Sequence, residues 1–339
     1  MEPIARGEHG EAVRDVQRRL LGAGHRVDAD ELGGAFGLST EAAVRDFQQA
    51  RGLPADGVVG AETWGHLVEA GYRLGDRTLY LRSPAFRGDD VRELQSILNA
   101  LGFDAGKQDG IFGRRTAEGV REFQRNVASR VDGIVGLDTV REMARFRPTL
   151  GGPSRAVVRE EEAARGPGLS LPGSVIAIDA EGSGSPEAIA SATAASLQRR
   201  GIRPMLLFGS REPTPTEDRI RRANAGEAAL FVSIGIGTEA ETGCACLYFG
   251  TPTTHSPMGR RLAASILTSL VSRLGLMDRG VHPRSIAILR ETRMPAVLIE
   301  PFGAGDPRAD EDGFAQAVAE GIAAGIEAFS RPAPEPLSP

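Results

Sequence analysis

Apolar positions fall at helical spacing twice in the first half of the chain. Val13, Val16, Leu20 and Leu21 lie three or four residues apart or adjacent, and Val91, Leu94, Leu98 and Leu101 repeat the pattern. Each set predicts a helix with one apolar stripe. The likeness extends beyond the stripe, because residues 10–20 recur as residues 88–98. Phe36-Gly37 with Thr40, Ala43, Val44, Phe47 and Gln48 then recurs as Phe112-Gly113 with Thr116, Gly119, Val120, Phe123 and Gln124. Asp56-Gly57-Val58-Val59-Gly60 with Thr63 recurs as Asp132-Gly133-Ile134-Val135-Gly136 with Thr139. Three blocks in the same order define a tandem repeat. Each copy predicts three short helices, the third introduced by an Asp-Gly turn. Phe47, Phe123, Gln17 and Gln95 are read as packing and backbone-bonding positions, with any ligand groove left to exposed polar residues.

The pattern changes after the repeat. Residues 147–173 are rich in Pro, Gly, Arg and Glu and include Glu160-Glu161-Glu162, a composition that predicts a linker. From Ser174 onward strand and helix signals alternate. Apolar runs at 175–179, 205–208, 230–234, 244–249, 285–289 and 296–300 predict strands, and 186–200, 217–225, 258–275 and 313–329 predict helices. This order implies an α/β domain with a mostly parallel sheet flanked by helices, preceded by two small all-α domains. The expected boundaries are 7–72 and 80–146 for the repeats, 147–173 for the linker, 174–330 for the α/β domain and 331–339 for a tail. Ligands of such sheets sit at the carboxyl ends of strands, which places Asp179, Ser233 to Gly237 and Glu300 near one site.

Composition narrows the function classes. A net charge of −5, with arginine spread along the chain, argues against a general binder of nucleic acid or anionic membrane. No apolar run approaches the roughly 20 residues of a membrane span. The amino terminus offers no signal-peptide core, so the expected location is cytoplasmic. Cys244 and Cys246 are one residue apart on a predicted strand, where a disulfide would be strained. Two thiols alone do not complete a structural zinc site.

The repeat motifs, Val-x-x-(Val/Leu)-Gln-x-x-Leu, Phe-Gly-x-x-Thr, Phe-Gln and Asp-Gly-(Val/Ile)-Val-Gly, resemble the peptidoglycan-binding domain of cell-wall hydrolases. Further on, Ile178-Asp179, Arg219-x-x-x-Ala223-Asn224, the segment 230–234 and the segment 289–300 ending in Glu300 occur in order. They are similar to the zinc-dependent type 3 N-acetylmuramoyl-L-alanine amidases. That resemblance implies a zinc held by two His and one Glu, with a second Glu as general base. Glu300 stands in register with the base, and Asp179, Arg219, Asn224, Ser233 and Arg290 become cleft candidates. The two His positions, however, fall on Gly182 and Gly235. The loop for the ligand Glu is shortened, leaving Glu187 as the nearest acid and His255 as another weak substitute. His282 has no partner at ligand spacing.

A catalytic zinc takes three protein ligands, and loss of both imidazoles removes most of an interaction worth on the order of 10 kcal/mol. The expectation is therefore a pseudoamidase without a metal cofactor, in which Glu300 pairs with Arg219 or Arg290 and holds the sheet edge. The layout also resembles actinobacterial amidase-like regulators. That likeness implies a peptidoglycan fragment or precursor as ligand and a cytosolic cell-wall synthesis enzyme, such as the enolpyruvyl transferase MurA, as partner. Two rivals stay open. One is an active amidase that cleaves the muramoyl–L-alanine bond, with Asp179, Glu181, Glu187 or His255 as unconventional ligands. The other is a sensor of muropeptide or lipid-linked precursor.

Overall fold

The structure is a computed structural model that describes residues 2–145, 169–182, 184–209, 214–237, 243–251, 254–304, 306–310 and 313–331. Most of the linker expected at 147–173, and the tail beyond Arg331, lie outside the described residues. The chain divides into two compact units, Met1–Arg159 and Glu160–Pro339.

The first unit holds the two copies of the repeat. Its helices are α1 (Glu11–Gly22), α2 (Leu38–Arg51) and α3 (Ala61–Glu69), then α4 (Asp89–Ala100), α5 (Arg114–Asn126) and α6 (Leu137–Arg145). Val13, Val16, Leu20, Val44 and Phe47 pack in the first core, and Val91, Leu94, Leu98, Val120 and Phe123 in the second. Leu21 departs from the expected stripe and is 44% exposed. The repeated glutamines act as internal clamps. Gln48 Nε2 donates to Asp56 Oδ1 (2.7 Å) and Val58 O (2.9 Å), and its Oε1 accepts from Gly57 N (2.9 Å). Gln124 treats Asp132, Ile134 and Gly133 in the same way. The glycine of each Asp-Gly turn has a φ of 76° or 74°, a region that side chains with a Cβ avoid. Short bridges from Ile4 to Val59 and from Leu79 to Val135 close the copies, so pairing starts before residue 7 and before residue 80. Bridges of one residue carry no periodicity for a sequence to display.

The second unit is a six-stranded sheet in the order β2-β1-β3-β6-β4-β5. Its strands are β1 (Val175–Ala180), β2 (Arg203–Leu206), β3 (Leu230–Ile234), β4 (Cys244–Phe249), β5 (Asp278–Arg284) and β6 (Ala296–Glu300). The strands β2, β1, β3 and β6 run parallel; β4 runs antiparallel to β6, and β5 runs parallel to β4. One face is covered by α7 (Ser185–Arg199), α9 (Pro257–Leu274) and α11 (Phe314–Ser330), which bury Ile189, Ile266, Leu267 and Ile322. The other face packs against α8 (Thr216–Ala225) and the single turn α10 (Ala287–Arg290). Cys244 and Cys246 are free thiols buried on the three-helix face. Among the described residues no helix is long and apolar enough to cross a membrane.

Two expected strands differ from those observed. β2 begins two residues earlier, at Arg203, and 285–289 is not a strand. The strand of that region is β5, whose Gly280 and Pro283 disguise it as a loop. Among the described residues it pairs with β4 alone, and an edge strand tolerates proline because one side needs no ladder bonds. The apolar run Ile286 to Leu289 instead enters α10 and buries Ile288 and Leu289.

Candidate functional site at the strand ends

The register brings several predicted residues together. Asp179 lies beside Ser233 across β1 and β3, and Ile234 lies beside Ile299 across β3 and β6. Beyond the strand ends, Glu181 N donates to Ile234 O (2.8 Å) and Gly235 N to Ile299 O (2.9 Å). The carboxyl ends of β1, β3 and β6 thus carry Asp179, Glu181, Ser233 and Glu300 at one edge of the sheet.

Asp179 is fully buried, and a buried carboxylate needs compensation. Its Oδ2 accepts from Arg219 Nη1 (2.6 Å) and Ser233 Oγ (2.9 Å). Arg219 comes from the first turns of α8. Its Nη2 donates to Thr216 Oγ1 (2.8 Å) and reaches Glu181 Oε1 at 3.5 Å. Asp179 Oδ1 is buried without a hydrogen-bond partner. Burial pushes the Glu181 carboxyl above its ordinary value; Arg219 opposes that rise, and the charges of Asp179 and Glu300 add to it. This is an acid-rich site in which the Arg219 guanidinium engages Asp179 and Glu181.

Sequence reasoning overlooked Arg279. Because β4 and β5 run against the other strands, the start of β5 lies beside the start of β4, where Ala245 faces Glu300. Arg279 Nη1 and Glu300 Oε2 come to 3.4 and 3.5 Å from the point where a Cβ on Gly237 would stand. Arg279 therefore reaches the same strand end as Glu300. Only the reversed strand direction, which the sequence does not display, puts it there.

Other predicted site residues lie elsewhere. Asn224, at the far end of α8, donates to Glu291 O (3.0 Å) and accepts from Arg293 N (2.9 Å), so it ties that helix to the segment before β6. Arg290 precedes β6 as well and pairs with Glu291 at 3.1 Å. Both belong to the end of the sheet where β6 begins, opposite Glu300. His255 is also at that end: it bridges to Gly250 after β4 and stacks edge-on against Tyr248, the partner of Val297. Arg219 is committed to Asp179 and Glu181, so the expected Arg219–Glu300 pair gives way to partners on and just after β1. Glu187 does stand in the first turn of α7, but no hydrogen bond or ion pair among the described residues joins it to the acids.

Gly182 and Gly235 offer no side-chain donor atom. Among the described residues, no group of three His, Cys, Asp or Glu side chains is close enough to hold a metal ion. Gly182 has a φ of 92°, so the loop follows a path that a histidine would strain.

Together the fold and its strand-end acids define an amidase-like α/β domain joined to two small helical modules. Residues 185–328 match the family described as N-acetylmuramoyl-L-alanine amidase, and residues 9–67 and 87–143 match the putative peptidoglycan binding domain. The chain belongs to this family of amidase-like, peptidoglycan-binding cell-wall proteins. It is 37% identical over 311 residues to the N-acetylmuramoyl-L-alanine amidase CwlM of Mycobacterium tuberculosis, covering 84% of this chain and 75% of that protein. It is 31% identical over 156 residues to the N-acetylmuramoyl-L-alanine amidase CwlL of Bacillus licheniformis, covering 40% of this chain and 43% of that one. Among solved structures, the N-acetylmuramoyl-L-alanine amidase of Clostridium difficile 630 is 23% identical with a TM-score of 0.42, over 47% of this chain and 97% of that chain.

Proposed function

We propose that this protein is a catalytically degenerate amidase that regulates peptidoglycan biosynthesis through binding, without hydrolysis. One observation carries the reading: Gly182 and Gly235 stand at the two strand ends where the amidase motifs place histidine. Glycine offers no lone pair from a side chain, and an amide reacts too slowly with water for an unassisted carboxylate to suffice. Support also comes from Arg219, which engages Asp179 and Glu181 in ion pairs.

In this reading the two modules bind a peptidoglycan fragment or precursor, and tandem weak sites raise apparent affinity without new contacts. The chain acts in the cytoplasm, and its protein partner is an enzyme of precursor synthesis such as the enolpyruvyl transferase MurA. Incubation of the full chain with muropeptides and added zinc tests the chemistry. The expected outcome is binding without release of L-alanine-linked peptide. Release that disappears in Glu300→Gln would instead establish an active amidase with unconventional ligands. A companion assay adds the chain to purified transferase, where unchanged turnover would remove that enzyme as the partner.

A further inference from the structure

Because the chain holds two copies of one module, a side chain that one copy has and the other lacks is not demanded by the shared fold. After the first helix of each copy the chain turns in the same way: His25 N donates to Leu20 O (2.9 Å), and Phe103 N to Leu98 O (2.9 Å). Each ring then meets the buried phenylalanine of the next helix edge-on, His25 against Phe47 with centres 5.6 Å apart and Phe103 against Phe123 at 5.7 Å. A phenyl therefore suffices at this position. The imidazole of the first copy adds a titratable group where the fold needs only an aromatic one.

The same phenylalanine marks a second difference. One turn along α2, Arg51 lies over the Phe47 ring at 5.1 Å, where the second copy has Val127. From there Arg51 crosses to the other copy. Its guanidinium makes a two-pronged contact with Asp89, the first residue of α4: Nη2 donates to Oδ2 at 2.7 Å and Nη1 to Oδ1. Asp89 already has a local partner in Arg92, as the equivalent Glu11 has in Arg14, so Arg51 is an added tie between the copies. The side chains of Arg51 and Asp89 are 17% and 30% exposed, so solvent screens the contact only in part. His25, Phe47 and Arg51 thus form one cluster at the foot of that tie.

We propose that this cluster is a proton-operated latch between the two modules: charge on His25 loosens Arg51 from Asp89 and lets the second module move against the first. With His25 neutral, Arg51 is the cation on the Phe47 ring. A proton on His25 brings a second positive charge to that ring, and the two repel. Asp46 and Arg51, both on α2, are the charged side chains that act on His25. Burial lowers its pKa; Asp46 opposes that fall, and Arg51 adds to it. A value lowered in the latched state means that latching is fully favoured above the ordinary 6.5 and loses ground as pH falls below it. A latched pair presents its modules at one spacing and an unlatched pair at many, which changes how far two weak sites reinforce one another. The latch lies wholly in the first unit, so its failure leaves the pseudoamidase reading intact.

Spin labels on Arg18→Cys and Arg141→Cys, each on an exposed helix position of one copy, read the latch in the full chain, whose own Cys244 and Cys246 are buried. The distance between the labels should be narrowly distributed at pH 8. At pH 5.5 a second, broader population should grow by about threefold or more, the effect of a modest like-charge repulsion. His25→Phe, which copies the residue of the second module, should keep the narrow distribution at both pH values. Arg51→Gln should give the broad one at both. A distribution that pH leaves unchanged in the labelled parent chain, broadening at pH 5.5 that survives His25→Phe, or a narrow distribution at pH 8 in Arg51→Gln would overturn the inference.

Discussion

Arg219 shows how closely stability and site geometry are linked at the level of single residues. Its side chain is 11% exposed and meets a fully buried Asp179. Removing one partner of a buried pair leaves the other charge uncompensated, at a cost of about 3–5 kcal/mol. Arg219→Gln should therefore destabilise the α/β domain by that amount in urea unfolding, and a loss below about 1 kcal/mol would mean that Asp179 is compensated by other means. Asp179, Arg219, Ser233 and Glu300 were legible in the sequence because each ends a strand or opens a helix in a recognisable motif. Asn224 was misplaced because a helix turns its two ends toward opposite ends of the strands, and Arg290 because it lies before β6 begins, at the end opposite Glu300. The glycines lead to a second expectation. Gly182→His together with Gly235→His should not restore hydrolysis, since residue 182 has a φ of 92° and a Cβ at 235 meets Leu298 Cδ1 at 3.2 Å. Peptide release by that double variant would contradict the steric argument.

At the scale of elements, the repeats were readable because each signature residue serves its own copy. Gln48 and Gln124 clamp Asp-Gly turns a few residues away, so the contacts stay local and the sequence spacing preserves them. The α/β domain relies on distant partners, which no local pattern reveals. Glu320 on α11 is an example: it receives Arg200 Nη2 (2.8 Å), Arg199 Nη2 (2.6 Å) and Ser196 Oγ (2.9 Å) from α7 and the residue after it. The hydrogen bond from Arg200 outweighs the effect of burial and holds its carboxyl at about 2, below the ordinary 4.5. A lowered folded value stabilises the fold above pH 4.5, and that contribution is lost as pH falls through 4.5 toward 2. Glu320→Gln should thus reduce stability at neutral pH and flatten the acid limb of the stability profile. An acid limb of unchanged slope would show that the α7–α11 contact contributes nothing to it.

On the scale of the whole molecule, two peptidoglycan-binding segments and an amidase-like domain share one chain. Binding needs only a surface of suitable chemistry, whereas amide hydrolysis needs a complete constellation of groups. Fold class was legible from the alternation of strand and helix, but the reversal of β4 and β5 was not, since strand direction leaves no mark on an apolar run. That reversal is what brings Arg279 to the end of the sheet that carries Glu300. Metal content is the most direct test of the proposed loss of catalysis. Full-length protein purified without chelator and then equilibrated with zinc should retain well under one zinc per chain after dialysis, as read by elemental mass spectrometry. One tightly held zinc per chain, lost on substitution of the strand-end acids Asp179, Glu181 and Glu300, would contradict it.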